Sequence, residues 1–139
     1  KGVYSGKVIK DLSNKRIKLN ITAVYTVSQV KRIIKDINKS SKTIISIFSG
    51  RMADVGKDPL PIIKKSVSLS KRYKNVKILW ASTREAYNYL QAKQCGCSII
   101  TMPPAIIEKI TKFGKTYNEL TLETVKKFLE DSRESNFKI

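Results

Sequence analysis

Two arginines and a few hydroxyl and amide side chains are the residues of this sequence best suited to chemistry. Asn20 and Thr22 close one apolar run, Ser46 lies near the end of a second with Arg51 just beyond it, and Ser82 follows a third with Arg84 close behind. Guanidinium forks match phosphate oxygens, a hydroxyl adds a donor, and a helix starting at Ser82 would add free N–H groups and a positive dipole end. Ser82 and Arg84 therefore suit a phosphate. The plainer alternatives are that Ser82 only caps its helix while Arg84 is solvated, and that Asn20 and Thr22 are a polar pair satisfied by neighbouring backbone. Other chemistry is excluded. Without a histidine there is no serine triad and no imidazole metal site. Cys95 and Cys97 stand too close for an ordinary bridge and lack the further Cys or His partners of a zinc site, so they read as buried or half-buried thiols in a reducing compartment. Neither a metal nor a cofactor is expected.

The elements that must position these residues can be read from periodicity. Ser5 to Ser13 puts Val8, Ile9 and Leu12 on one helical face. From Lys18 to Thr22 a strand alternates, with Leu19 and Ile21 on one face and Asn20 and Thr22 on the other. Thr26 and Gln29 have capping-box spacing and open a helix carrying Val27, Val30, Ile33, Ile34 and Ile37, which ends near Asn38. Thr43 to Ser49 is a second strand, with Ser46 and Phe48 sharing a face. Gly50 to Asp58 reads as a loop before Pro59, and a helix through Ile62, Ile63, Val67 and Leu69 leads to the strand Val76 to Ala81. Ser82 and Glu85 repeat the capping-box spacing ahead of a helix with Tyr87, Leu90 and Gln91. A fourth strand, Ser98 to Thr101, precedes Pro104 in the first turn of a helix through Ile106, Ile107 and Ile110. Thr121 and Thr124 introduce a closing helix at about 121–134. One helix, four strand-helix units and a closing helix make an α/β chain with a parallel sheet and right-handed crossovers. Four units give either an open sheet or half of an eight-stranded barrel, and in such barrels the carboxyl ends of the strands form the rim where sites are built.

Composition sets the outer bounds. The 139 residues are one domain's worth, and 41% hydrophobic residues suffice for a core. No apolar run approaches the roughly 20 residues that span a bilayer, and the amino terminus lacks the apolar centre of a secretory signal, so a cytoplasmic protein without a membrane partner is expected. A net charge of +17 raises nucleic acid as a partner. Against it, lysines run from Lys1 to Lys138 in no basic block longer than two, and the tyrosines and phenylalanines show no basic-aromatic interleaving. The lysines read as solvated, and nucleic acid is discounted. The chain opens on Lys1 rather than Met, which suggests that its true amino terminus is missing.

Four stretches carry a resemblance: Leu19-Asn-Ile-Thr-Ala-Val-Tyr25, Ser46-Ile-Phe-Ser-Gly-Arg51, Leu79-Trp-Ala-Ser-Thr-Arg84 and Ile99-Ile-Thr-Met-Pro-Pro104. In this order the chain resembles the transaldolase family, especially its small members close to fructose-6-phosphate aldolase, over nearly its whole length. The resemblance implies one partial domain, 1–139, forming the C-terminal half of a TIM-type (β/α)8 barrel from the helix after the fourth strand onward. It also implies a class I aldolase. A lysine forms a Schiff base with a ketose phosphate, the bond between the third and fourth carbons breaks, and a dihydroxyacetone unit passes to an aldose phosphate, with the protonated imine as electron sink. By motif position Asn20 and Thr22 would touch the three-carbon unit and the catalytic water, and Ser46 would hydrogen-bond it. Phe48 would wall the site where aldolase-type relatives carry an acid/base tyrosine, which favours transaldolase over simple aldolase. Arg51, Ser82 and Arg84 would bind the sugar phosphate, and the full-length enzyme would be a homo-oligomer.

The chain also departs from that family. Its Schiff-base lysine lies on the fourth strand, and its aspartate and water-orienting carboxylate come from earlier strands, none of which this chain contains. Lys1-Gly2 resembles the turn just after that fourth strand. Lys18 shares a face with Asn20 and Thr22 but stands at the opening end of its strand, away from the rim, and is not read as the nucleophile. Trp80 is bulkier than the small residue of many relatives and bears on the packing of the barrel interior. Two rival readings stand beside the enzyme: a basic nonenzymatic α/β module that binds nucleic acid through dispersed lysines, and a half-barrel that pairs with a second copy.

Overall fold

The computed structural model describes residues 3–135, so the turn suggested by Lys1-Gly2 lies outside the described residues. Its elements are α1 (Gly6–Asn14), β1 (Leu19–Val24), α2 (Val27–Asp36), β2 (Thr43–Ile47), α3 (Ser49–Ala53), α4 (Leu60–Ser70), β3 (Val76–Trp80), α5 (Asn88–Gln94), β4 (Ile99–Ile100), α6 (Pro104–Ile110) and α7 (Tyr117–Glu134). The four strands form one parallel sheet in sequential order. This is the α/β architecture of successive β/α units that builds TIM-type barrels.

Strand alternation gives the sheet two unlike faces. Ile45, Ile47, Ile78 and Trp80 share one face and meet Ile9, Val30, Ile33 and Ile63 from the helices in a single core. Each such large side chain taken out of water contributes roughly 1.5–3 kcal/mol. Trp80 is 1% exposed within this core. The expectation that it bears on a barrel interior is therefore corrected, because its phase points it at the helices. The other face carries Asn20 and Thr22 on β1, Ile44 and Ser46 on β2, and Lys77 and Leu79 on β3, aligned by the pairings Asn20 with Ile44 and Ser46 with Leu79.

Local signals explain most boundaries. The capping box of α2 forms as its spacing predicts: the Gln29 N–H donates to Thr26 Oγ1 at 3.1 Å, and Gln29 Oε1 accepts from the Thr26 N–H at 3.0 Å. In α1, by contrast, Val8 is 55% exposed and Ser13 takes an inward place. Ser13 is buried without penalty because its hydroxyl donates to the Lys10 carbonyl and accepts from the Asn38 N–H. The expected loop after β2 opens with the short helix α3. The closing helix starts at Tyr117 rather than near 121, since Thr116 and Glu119 form the true capping box; Thr121 and Thr124 lie inside it, donating to the carbonyls of Tyr117 and Leu120. Cys95 is buried and Cys97 half-buried, both unbridged, and burial pushes the Cys97 thiol up to about 12. No helix among the described residues is long and apolar enough to cross a membrane.

Candidate active site

Toward the carboxyl ends of the strands lie Thr22, Ser46, Phe48 and Ser82, whereas Asn20, expected at the same rim, is the second residue of β1, because that strand runs on to Val24. Ser46, 3% exposed, donates from its hydroxyl to Asn20 Oδ1 at 2.7 Å, which ties the first half of β1 to the carboxyl end of β2 on the face away from the helices. Asn20 thereby spends its carbonyl on Ser46 and keeps its amide N–H groups for a ligand. Thr22 follows on the same face and is exposed. Phe48 stands just beyond β2, edge-on to Tyr25 with ring centroids 5.9 Å apart, and the Arg51 guanidinium lies over its other side at 5.5 Å. Phe48 thus joins Tyr25 and a cation just beyond the carboxyl end of β2.

The segment after β3 differs from expectation. Ser82 has φ of 61°, and α5 begins only at Asn88, so Ser82 caps no helix. Asn88 Oδ1 accepts from the backbone N–H groups of Arg84 and Glu85 at 3.0 and 3.1 Å. Those donors are consumed within the loop, and the combination of helix start, hydroxyl and guanidinium at one point is corrected to a strained loop holding Ser82 and Arg84. Thr83, buried, anchors the loop by donating to the Thr101 carbonyl at 2.7 Å. Gly50 lets the loop lie against α3: a Cβ there would stand 1.5 Å from the Ser82 carbonyl oxygen.

Arg84 is not solvated alone. Its Nε and Nη2 donate to the Asp54 carboxylate, the shortest distance being 2.7 Å, and this partner holds the guanidinium charge even more firmly than usual. Asp54 sits at the end of α3, thirty residues away in sequence, and no local pattern announces it. Ala23 is likewise illegible in the sequence. With φ of 57° it makes the register of β1 shift between Ile21 and Val24. Two non-glycine residues in the left-handed region, Ala23 and Ser82, therefore sit at strand ends on this rim, where backbone strain commonly collects around function.

The structure brings Asn20 and Ser46 into contact and sets Phe48 beside Arg51, while Arg84 turns to Asp54. Such a rim offers amide and hydroxyl donors for a polyhydroxy compound, an aromatic wall and guanidinium groups for an anion.

Comparison with known proteins adds a lineage to this geometry. The profile of the family described as Transaldolase/Fructose-6-phosphate aldolase matches residues 4–139. A probable transaldolase of Caldicellulosiruptor saccharolyticus is 30% identical over 127 residues, covering 90% of this chain and 54% of that protein. A probable transaldolase of Thermoanaerobacter is 31% identical over 134 residues, covering 96% and 58%, and one of Streptococcus equi subsp. zooepidemicus is 34% identical over 126 residues, covering 90% and 55%. The chain spans about half the length of the curated relatives it matches.

Proposed function

Because this chain belongs to the transaldolase/fructose-6-phosphate aldolase family, a family of TIM-type barrels, we propose that it supplies the acceptor and phosphate side of a transaldolase-type active site, as the C-terminal half of a barrel. The observation that carries the reading is the Ser46–Asn20 hydrogen bond across adjacent parallel strands, on the sheet face away from the helices. The substrates are sugar phosphates, and the setting is the cytoplasm. The lysine that forms the Schiff base comes from the strand preceding this segment. Once the imine is protonated it accepts the electron pair of the breaking carbon–carbon bond, so the three-carbon unit stays on the enzyme while the aldose departs.

The residues of this chain bind and orient. Asn20 amide N–H groups and the Thr22 hydroxyl hold the hydroxyls of the three-carbon unit and the water that relays its proton, with Ser46 fixing the Asn20 amide. Phe48 closes one wall without offering an acid, which leaves proton transfer to the water and favours transfer to a second aldose over simple cleavage. Arg51, Ser82 and Arg84 take the phosphate, with Asp54 aiming Arg84 until the substrate arrives.

The test joins this chain to the first half of the Thermoanaerobacter relative and traps fructose 6-phosphate with borohydride. The expected adduct lies on a lysine of the joined half, and this chain alone traps nothing. An adduct on any lysine of this chain would overturn the assignment, as would a folded fusion that traps no sugar while the intact relative does. In the same fusion, Arg84→Ala should lower kcat/KM for phosphorylated substrates by about ten- to a hundredfold, the effect of removing a charge-assisted hydrogen bond, and spare dephosphorylated analogues. Lys109→Ala is the control for charge. Equal losses from both substitutions would remove Arg84 from the phosphate site.

A further inference from the structure

The lysines that look dispersed along the chain are gathered by the fold. Parallel strands place every helix-to-strand connection at the same end of the sheet, the pole opposite the rim described above. The connection into β1 carries Lys15 and Arg16, the connection into β2 carries Lys39 and Lys42, and the connection into β3 carries Lys71, Arg72 and Lys74. All are exposed, and none of the three connections contains an Asp or Glu. Among the described residues the ion pairs lie elsewhere, at Arg84–Asp54, Lys115–Glu123 and Lys127–Asp131. The nearest acid at the end of α2, Asp36, is taken by the Tyr4 hydroxyl at 2.8 Å.

These connections are also fastened to one another. The Asn75 side-chain amide donates to the carbonyls of Asn38 and Ser41, the Ser41 hydroxyl donates to the Ile17 carbonyl at 2.6 Å, and the Asn38 amide donates to Asn14 Oδ1. The cations therefore stand on a fixed platform. Between the second and third connections runs a groove of about 460 Å³ lined by Lys39, Ser40, Lys42, Arg72 and Lys74. Arg16 adds a third observation. It occupies, with φ of 59°, the position after α1 where glycine is favoured, with the Arg16 and Ile17 N–H groups donating back to the carbonyls of Ser13 and Leu12. Stability alone would place glycine there.

We propose that this amino-end face binds the phosphate backbone of a nucleic acid. Several unpaired cations spread over three adjacent connections match a row of phosphates rather than one small anion, and the Ser40 hydroxyl offers a neutral donor among them. An anionic membrane fits less well, because Ile17 is the one large apolar side chain exposed in these connections, while Tyr73 packs on the core. The binding needs neither Arg51, Ser82 and Arg84 nor the Schiff-base lysine, although Asn20 lines a cavity that Lys42 and Lys74 also line.

The test uses this chain and a labelled single-stranded oligonucleotide of about 20 nucleotides, read by fluorescence anisotropy across a salt series. The variant K39A/K42A/R72A/K74A should bind roughly thirtyfold more weakly at about 100 mM salt, with the log–log salt slope flattened by about 0.7 for each phosphate left without its cation. A charge-matched variant, K7A/K31A/K57A/K64A, should weaken binding by less than about threefold, since those residues lie in the first halves of α1, α2 and α4 and in the segment between α3 and α4, away from the helix-to-strand connections. Arg16→Gly should weaken binding by about threefold while raising Tm, a split that a purely structural role for Arg16 cannot produce. Thermal melts verify that each variant is folded. Equal losses in the two charge-matched variants would overturn the proposal in favour of bulk charge. Binding to phosphatidylserine vesicles without binding to the oligonucleotide would overturn it in favour of a membrane, and absence of oligonucleotide binding by the unaltered chain would overturn it outright.

Discussion

Tyr4 ties the first two helices together through its hydroxyl bond to Asp36, with the Arg32 guanidinium lying 4.1 Å from its ring centroid. Burial, then the hydrogen bond and charge of Asp36, push its phenol up to about 12 against the opposing charge of Arg32. In the unfolded chain a tyrosine titrates near 10, so between about 10 and 12 the folded state keeps a proton that the unfolded state has lost. The contribution is whole below about 10 and fades as pH rises toward the folded value. Tyr4→Phe should therefore be less stable than the unaltered protein near neutral pH by about 1 kcal/mol, with the gap closing at the alkaline end. Urea melts at neutral and strongly alkaline pH check it, and a gap independent of pH would remove the Asp36 bond as its cause. Residue types at the rim were legible in the sequence because strand alternation fixes which side chains share a face: Asn20 and Ser46 meet as their phase requires. Partners distant in the chain were not. Asp54 and Arg84, like Tyr4 and Asp36, meet only after two β/α units have folded side by side, and a pattern of neighbours holds no trace of that.

Among the elements, α2 and α5 show why one capping signal succeeds and another fails. Thr26 is in extended backbone, so its hydroxyl reaches the Gln29 N–H, whereas the left-handed turn at Ser82 sends the chain back across α3 before α5 can begin. The cause lies in another element, at Gly50, whose missing side chain admits the Ser82 carbonyl. A short glycine-bearing segment before Pro59 reads naturally as loop, and its contact with a segment thirty residues on is a tertiary fact. Gly50→Ala must move the segment after β3, since backbone rather than a flexible side chain stands in the way. Such overpacking costs about 1–3 kcal/mol. The Arg84–Asp54 pair should be disturbed with it, because Arg84 Cγ would stand 3.0 Å from the new methyl. A lowered urea midpoint together with a shifted Arg84 Nε resonance is the expected result, and a variant as stable as its parent would mean that the segment is free to retreat.

At the scale of the whole molecule, the described residues form a sheet whose outer strands, β1 and β4, each pair on one side only. Unpaired strand edges invite pairing with another chain, and the face bearing Ile44 and Leu79 has no helix layer like that of the other. α7 adds a second sticky feature. No residue of this long helix is buried, and Leu120, Val125, Phe128 and Leu129 are exposed at spacings that align them along one side, with Tyr117 88% exposed at its start. An amphipathic helix without a partner stabilises itself by packing its apolar side on another surface. We expect this chain to self-associate at micromolar concentration. The two sources separate by substitution. Val125→Ser, Phe128→Ser and Leu129→Ser together remove the apolar side of α7 without touching its capping box at Thr116 and Glu119, so the helix start is kept. If α7 holds the assembly, light scattering after size exclusion should show the triple variant shifted to a smaller mass while the parent remains associated. If the mass is unchanged, the strand edges and open face hold the copies together and α7 is dispensable. A parent chain that runs as a monodisperse monomer and unfolds cooperatively would contradict both, and would mean that four β/α units with this core are sufficient as a domain by themselves.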